Sequence, residues 1–271
     1  MGVVNVTPDS FSDGGRFLDP RAAVEHGRRL VDEGAQMLDV GGESTRPGAD
    51  SVSAEEELRR VVPVVEGLAG AGAAVSIDTS KASVAAAALD AGASYVNDVT
   101  ALRGDPELAG LVAERGVDCC LMHMLGTPRT MQDDPRYDDV VSDVKAFLEQ
   151  RLTFAVAAGV AEERIMLDPG IGFGKTLEHN LELLARLGEI VALGRPVVIG
   201  LSRKSFLGKI TGRDEAGRAV ATAAANVLAL ERGASVFRVH DVPETLDALA
   251  VAAATLAGGW PLTPRTTTTT T

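Results

Sequence analysis

Aromatic residues are scarce in this chain, at 4% of 271 positions with one tryptophan, so packing rests on Ala, Val and Leu. Cysteine is scarcer still: Cys119 and Cys120 stand side by side in an apolar run. Neighbours on a strand point to opposite faces, which argues against a structural disulfide between them and fits a reducing, cytoplasmic setting. No stretch approaches the ~18–20 consecutive apolar residues of a membrane span. The start lacks a basic segment followed by an apolar one, so no signal peptide is visible. Positive charge is in deficit, with a formal net charge of −12, which argues against nucleic acid as a partner. A local cluster of Arg and Lys still leaves room for a small anionic substrate. His26, His123, His179 and His240 show no metal-ligand spacing, which speaks against a zinc hydrolase. Linker-like composition is missing from residues 1–257, and 45% apolar content supplies a core for one domain.

What is present is a regular alternation. Short apolar runs lie at Gly2–Asn5, Gln36–Asp39, Ala74–Asp78, Ser94–Asp98, Asp118–His123, Arg164–Asp168, Pro196–Ser202 and Ser235–His240. Most are followed by an amphipathic stretch long enough for a helix, and such alternation reads as βαβ units on a parallel sheet. Eight units in about 250 residues is the size of an α/β (β/α)8 barrel, in which the C-terminal strand ends form the active-site face. Nearly every run here ends in a residue able to do chemistry. One polar mouth follows.

The connections carry more specific signals. After the first strand, Asn5–Gly15 is a long run of turn-formers, and a loop of that length reads as a lid with Phe11 as its apolar finger and Asp9 and Ser10 as polar contacts. After the second, Gly41-Gly42-Glu43-Ser44-Thr45-Arg46-Pro47-Gly48 brings backbone close to a ligand and presents Arg46 for a phosphate or carboxylate. Asp78, Asn97 and Asp168, at three strand ends, form a candidate ring of donors and acceptors for a flat heterocycle with an amino group, an NH and a carbonyl. Asp98 and Thr79 read instead as helix caps. Asp168–Thr176 resembles a P-loop but has Pro169 where a Walker A glycine belongs; its glycines suit close approach to a ring, with Phe173 packed on it. In Ser202-Arg203-Lys204-Ser205, either serine can cap the next helix, whose N-terminus suits an anion, and Lys204 is a donor for a ring heteroatom. Arg238 and His240 share a side of the last strand and read as an oxyanion site. His123 reads as packing, and Asp39 as support for the loop carrying Arg46.

These segments, taken in order from Asn5 to about Leu256, resemble dihydropteroate synthases of the pterin-binding barrel group; the first two loops and Ser-Arg-Lys-Ser are the specific motifs. The resemblance implies a cytoplasmic transferase of folate biosynthesis. It condenses 6-hydroxymethyl-7,8-dihydropterin diphosphate with 4-aminobenzoate to 7,8-dihydropteroate and diphosphate, by a dissociative substitution through a pterin-stabilised carbocation. It implies pterin binding by Asp78, Asn97, Asp168, Lys204 and Arg238. It implies diphosphate binding by Asn5, Thr45, Arg46, Arg238 and His240, with Mg2+ at Asn5. The aminobenzoate falls to Phe11, Thr45, Pro47, Phe173 and Ser205. Catalytic weight falls on Asn5, Arg46, Asp78, Lys204, Arg238 and His240. Sulfonamides are implied as inhibitors and a homodimer as the assembly; the Ala-rich stretches Ala219–Leu230 and Thr245–Leu256 have apolar faces that suit a partner.

Two neighbouring readings compete. A methyltetrahydrofolate-dependent methyltransferase would keep the pterin acids without needing the Phe11 loop or Arg46–Pro47. A catalytically silent pterin-binding paralogue would be signalled by loss of Arg46, Lys204 or the first loop, and all stand intact. The ends carry their own expectations. Met1–Gly2 stands almost inside the first strand, so a segment before it that family members usually carry is expected to be missing. Residues 258–271, with the run Thr266–Thr271, read as a disordered low-complexity tail.

Overall fold

The computed structural model describes residues 1–7 and 19–258. Eight parallel strands alternate with helices around a closed (β/α)8 barrel. The strands are β1 (Gly2–Asn5), β2 (Met37–Gly41), β3 (Ala74–Asp78), β4 (Tyr95–Asp98), β5 (Asp118–Met122), β6 (Ile165–Asp168), β7 (Val198–Ile199) and β8 (Val236–Phe237). β1 to β6 pair in sequence order, and β7 pairs with β8. Closure comes from parallel bridges, Gly2 with Val239 and Leu167 with Val197. At the first seam Val3 N–H donates to Val239 O at 3.0 Å, and at the second Leu167 N–H donates to Pro196 O at 3.0 Å. The predicted strand at Pro196–Ser202 is mostly extended chain with a two-residue core, because Ser202 and Arg203 already turn toward the next helix. β2 runs two residues past the expected Asp39, pairing Gly41 with both Asn5 and Asp78.

The helices are α1 (Pro20–Asp32), α2 (Ala54–Leu68), α3 (Ala82–Asp90), α4 (Leu108–Arg115), α5 (Val140–Ala157), α6 (Leu177–Ala185), α7 (Gly188–Val191), α8 (Ser205–Thr211), α9 (Ala219–Glu231) and α10 (Val242–Leu256). Several start where side chains satisfy the unpaired first-turn N–H groups. Asp19, Ser53 and Asp139 cap α1, α2 and α5, and Thr176 with His179 forms a capping box on α6.

Period-two alternation sorts each strand into two faces. Leu38, Val40, Ile77, Val96, Leu121, Leu167 and Ile199 join the helices in the main apolar core. The opposite face looks into the barrel. Low in the barrel, Tyr95, Cys120 and Val198 form a plug with Met1, Met37, Met166 and Val236. One pleat higher the inward positions turn polar, at Asp39, Ser76 and Asn97, then at Asn5, Asp78 and Asp168. That step from plug to polar layer makes the floor of the site.

Candidate active site

At the C-terminal ends of the strands lies a cavity of about 420 Å3, a size suited to a small-molecule ligand. Asn5, Thr45, Arg46, Pro47, Asp78, Asn97, Asp168, Phe173, Lys204, Ser205, Arg238 and His240 all line it. Every sequence-predicted site residue is therefore brought together except Phe11, which with Asp9 and Ser10 lies outside the described residues.

The floor is a charge network organised by Asp39. This carboxylate has no exposed surface. It accepts from Ser76 Oγ at 2.6 Å, Asn97 Nδ2 at 3.0 Å and Arg238 Nε at 2.5 Å. Arg238 donates through Nη2 to Asp78 Oδ2 at 2.9 Å. Asp39 thus supports Arg238 and Asn97, not the Arg46 loop. The expectation failed because that partner lies across the barrel, on β8. Burial and the Asp39 charge push Asp78 above the ordinary carboxylate range, against the pull of Arg238. Burial works against the Arg238 cation, but the charges of Asp39 and Asp78 outweigh it and hold its pKa above the usual value.

Across the floor, Asp168 accepts from Gly170 N–H at 2.6 Å, and burial raises its pKa against the pull of Lys204. Gly170 has φ +66°, and a Cβ there would meet His123 O at 1.8 Å, so the turn demands glycine. The stem of Lys204 crosses Gly172, which has φ +84°, and a Cβ there would stand 3.1 Å from Lys204 Cδ. Lys204 Nζ donates to Ile171 O and sits 4.6 Å from the Phe173 ring centroid. Burial lowers Lys204 to about 8, with Asp168 opposing.

His240 is oriented by Ser202. Ser202 Oγ accepts His240 N–H at 3.1 Å and lies 2.9 Å from His240 Nδ1. With the hydroxyl proton on that contact, Nδ1 is the acceptor and Nε2 carries the ring proton. Burial and the Arg238 and Arg203 charges depress His240 to about 3, so it is a neutral donor near pH 7. Ser202 is therefore spent on His240. α8 begins without a side-chain cap, contrary to expectation, and Ser205 occupies its first helical position instead of capping it.

The rim is looser. Arg46 Nη2 donates to Glu215 Oε1 at 3.0 Å, and the two side chains are 39% and 37% exposed. Arg203 holds a left-handed backbone with φ +57°, a conformation that costs about 1–3 kcal/mol. Its guanidinium forks onto Asp241 at 3.0 and 2.5 Å, and its carbonyl accepts from Arg218 Nη1 at 2.7 Å.

Glu43, Arg203, Glu215 and Arg218 line the cavity without having been singled out from sequence. Glu43 and Arg203 lie in loops, and Glu215 and Arg218 at the two ends of a single 3-10 turn before α9, none with a periodic pattern; the glycines beside Glu43 were the available signal. Lys175 was missed as well. It is buried, with Nζ 2.9 Å from His123 Nδ1 and donating to Phe173 O at 3.0 Å. Burial and the Lys175 charge lower His123 to about 2, and its ring packs edge-on against Phe147. The packing role expected of His123 agrees with this. Asp98 closes a turn through the N–H groups of Thr100 and Leu102 at 2.7 and 2.6 Å and caps no helix. Asp105, not Thr79, receives the first N–H of α3, from Ala82 at 2.9 Å.

A family model described as pterin binding enzyme matches residues 1–240. Dihydropteroate synthase of Mycobacterium leprae is 52% identical over 266 residues, covering 96% of this chain and 94% of the relative. A probable bifunctional folylpolyglutamate synthase/dihydropteroate synthase of Haloferax volcanii is 49% identical over 94% of this chain. This chain spans 30% of that relative's length. Among solved structures, Yersinia pestis dihydropteroate synthase in a sulfonamide drug complex superposes with a TM-score of 0.92 at 45% identity, covering 95% of this chain and 94% of that one. Xanthomonas albilineans dihydropteroate synthase in complex with 7,8-dihydropteroate gives 0.84 at 47% identity, covering 95% and 93%.

Proposed function

The chain belongs to the pterin binding enzyme family, and we infer that it works as a dihydropteroate synthase, joining a dihydropterin to 4-aminobenzoate. The observation that carries this reading is the pairing of a largely buried set of strand-end polar groups, Asp78, Asn97, Asp168 and Arg238, with a cationic rim in one cavity, on a chain about half identical to named synthases.

The floor suits the pterin. Asp168 and Asp78 accept from ring N–H and amino groups, while Asn97 and Lys204 meet the ring's acceptors. As the C–O bond between the exocyclic methylene carbon and the diphosphate breaks, positive charge grows on the pterin. A fixed carboxylate at Asp168 stabilises that charge without reorganising, and Asp78 adds to it through its hydrogen bond with Arg238. Phe173 covers the ring edge and the Lys204 ammonium.

The leaving diphosphate falls to the rim. Arg46 can exchange its exposed contact with Glu215 for phosphate oxygens, and neutral His240 donates from the strand side together with Arg238, which through its bonds to Asp39 and Asp78 also belongs to the floor that holds the pterin. Among the described residues no three His, Cys, Asp or Glu could cage a metal. Mg2+ needs no such cage, because it keeps its waters and binds through substrate phosphates with one or two protein oxygens. The Asn5 amide oxygen, on the cavity wall at the end of β1, fits that part. When bound, the ion neutralises charge on the departing diphosphate.

The arylamine is neutral near pH 7 and attacks the methylene carbon directly, forming the C–N bond and releasing its proton to solvent or diphosphate. Thr45, Pro47 and Phe173 suit its ring, Ser205 its carboxylate, and Phe11 completes the set by resemblance. Sulfonamides compete for this part. A homodimer is proposed as the assembly: Val220 and Leu228 on α9 and Val251 and Leu256 on α10 are exposed apolar side chains. Sedimentation as a monomer at micromolar concentration would contradict it. A cytoplasmic location agrees with the free, buried Cys119 and Cys120.

The test is direct. Purified protein with the pterin diphosphate, 4-aminobenzoate and Mg2+ should yield 7,8-dihydropteroate; folded protein yielding none would refute the assignment.

A further inference from the structure

Lys81 follows β3 by three residues and stands at the start of α3, yet its side chain does not serve that helix. Its ammonium reaches back to Glu43 in the β2–α2 loop and to Glu57 Oε2 on α2 at 2.5 Å. Glu57 has no exposed surface, and its Oε1 has no hydrogen-bond partner among the described residues. A buried carboxylate is costly unless a cation pairs with it, so Lys81 is required wherever Glu57 stays ionised.

Glu57 also presses on the root of the loop. A Cβ at Gly42 would stand 3.0 Å from Glu57 Cγ and 2.6 Å from Val61 Cγ1, so α2 lies flush against the Gly42 backbone. One turn along, Arg60 Nη1 donates to Gly42 O at 2.9 Å. The loop therefore leaves β2 with Gly42 held by α2 and Glu43 held by Lys81. Three residues further on, Arg46 reaches a half-exposed Glu215.

We propose that the Glu57–Lys81–Glu43 bridge is a positioning device for the reaction, which aims Arg46 at the diphosphate by fixing the root of its loop. Lys81 and Glu57 do not line the cavity, so they act through Glu43 and the backbone. The proposal rests on the synthase reading and adds positioning residues to it. A bridge of this kind helps the leaving group depart and leaves the hydrogen bonds of the pterin floor in place, because Asp39, Asp78, Asn97 and Arg238 are held by one another, and the Glu57 charge acts on Asp78 less than burial, Asp39 and Arg238 do.

The experiment is a double-mutant cycle between Lys81→Met and Arg46→Met, read as kcat/KM for the pterin diphosphate. Lys81→Met should lower kcat/KM about tenfold or more alone, and by less than about twofold in the Arg46→Met background, since a residue that acts only by positioning Arg46 has nothing left to position once Arg46 is gone. Lys81→Arg should restore most of the loss. Affinity for a pterin lacking the diphosphate should stay within about twofold of the parent, a readout that general damage would move. If Lys81→Met does not fold, Glu57→Gln, which keeps the volume, carries the same cycle. Equal losses in both backgrounds, or an equal loss of affinity for the diphosphate-free pterin, would overturn the proposal. An unmodified protein that makes no dihydropteroate would instead refute the synthase reading.

Discussion

Arg238 and Arg46 face the same cavity and are held in opposite ways. Arg238 springs from β8 and is locked between Asp39 and Asp78 at 2.5 and 2.9 Å, one of these acids having no exposed surface. Arg46 rides a loop, and its ion pair with Glu215 is more than a third exposed on each side. The first pairing is part of the fold, since breaking it strands a buried charge. The second is worth little to stability, because water screens it and two long side chains lose freedom to hold it. The floor is thus built to present one fixed set of charges to a rigid ring. The rim is built to trade partners as a leaving group comes and goes.

That contrast can be broken most severely at Arg238. Arg238→Met leaves Asp39 and Asp78 unpaired and should destabilise the fold by about 3–5 kcal/mol, measured by urea unfolding. Arg46→Met should cost under about 1 kcal/mol in the same experiment. A similar loss for the two would erase the distinction. Next in size is Asp168→Asn, which removes a charged acceptor from the floor. It should weaken pterin binding by about 1.5–3 kcal/mol, roughly tenfold to a hundredfold, by calorimetry. An unchanged affinity would remove Asp168 from the ring-binding set.

A pH titration sharpens the same contrast. Lys204 is lowered to about 8, because burial disfavours its cation. The cost of keeping it charged is therefore present below pH 8 and relieved as pH rises toward its unfolded value, so this group alone makes the fold more stable between those limits. Its value as a cationic donor moves the other way. Pterin affinity should fall as pH passes 8, by up to about tenfold per unit, and Lys204→Arg should shift that limb upward. The smallest effect belongs to the rim: Ser205→Ala should raise KM for 4-aminobenzoate by a few-fold, about 0.5–1.5 kcal/mol, with pterin affinity unchanged.

The floor was also the part most legible in the sequence. Asp78 and Asp168 close their apolar runs, Asn97 and Arg238 stand one and two positions before the ends of theirs, and period-two alternation sends every one of them inward, so eight strand ends were enough to locate the mouth. The role of Asp39 was hidden because its partner Arg238 is 199 positions away and meets it only when the barrel closes. The rim was legible where glycine and proline marked a loop, at Thr45–Pro47. It was illegible at Glu215 and Arg218, which sit at the ends of a single 3-10 turn between α8 and α9, too short to show a period. Ser202 shows the limit of local rules: a serine before a helix is an apt cap, but the neighbouring strand supplied His240 as a better partner.

Titration calorimetry with a pterin that lacks the diphosphate, applied to the Arg46→Met and Arg238→Met proteins, tests the division of labour most directly. The division predicts an Arg46→Met affinity within about twofold of the parent and an Arg238→Met affinity at least about tenfold weaker. Equal weakening in both, or a larger loss at Arg46, would contradict it.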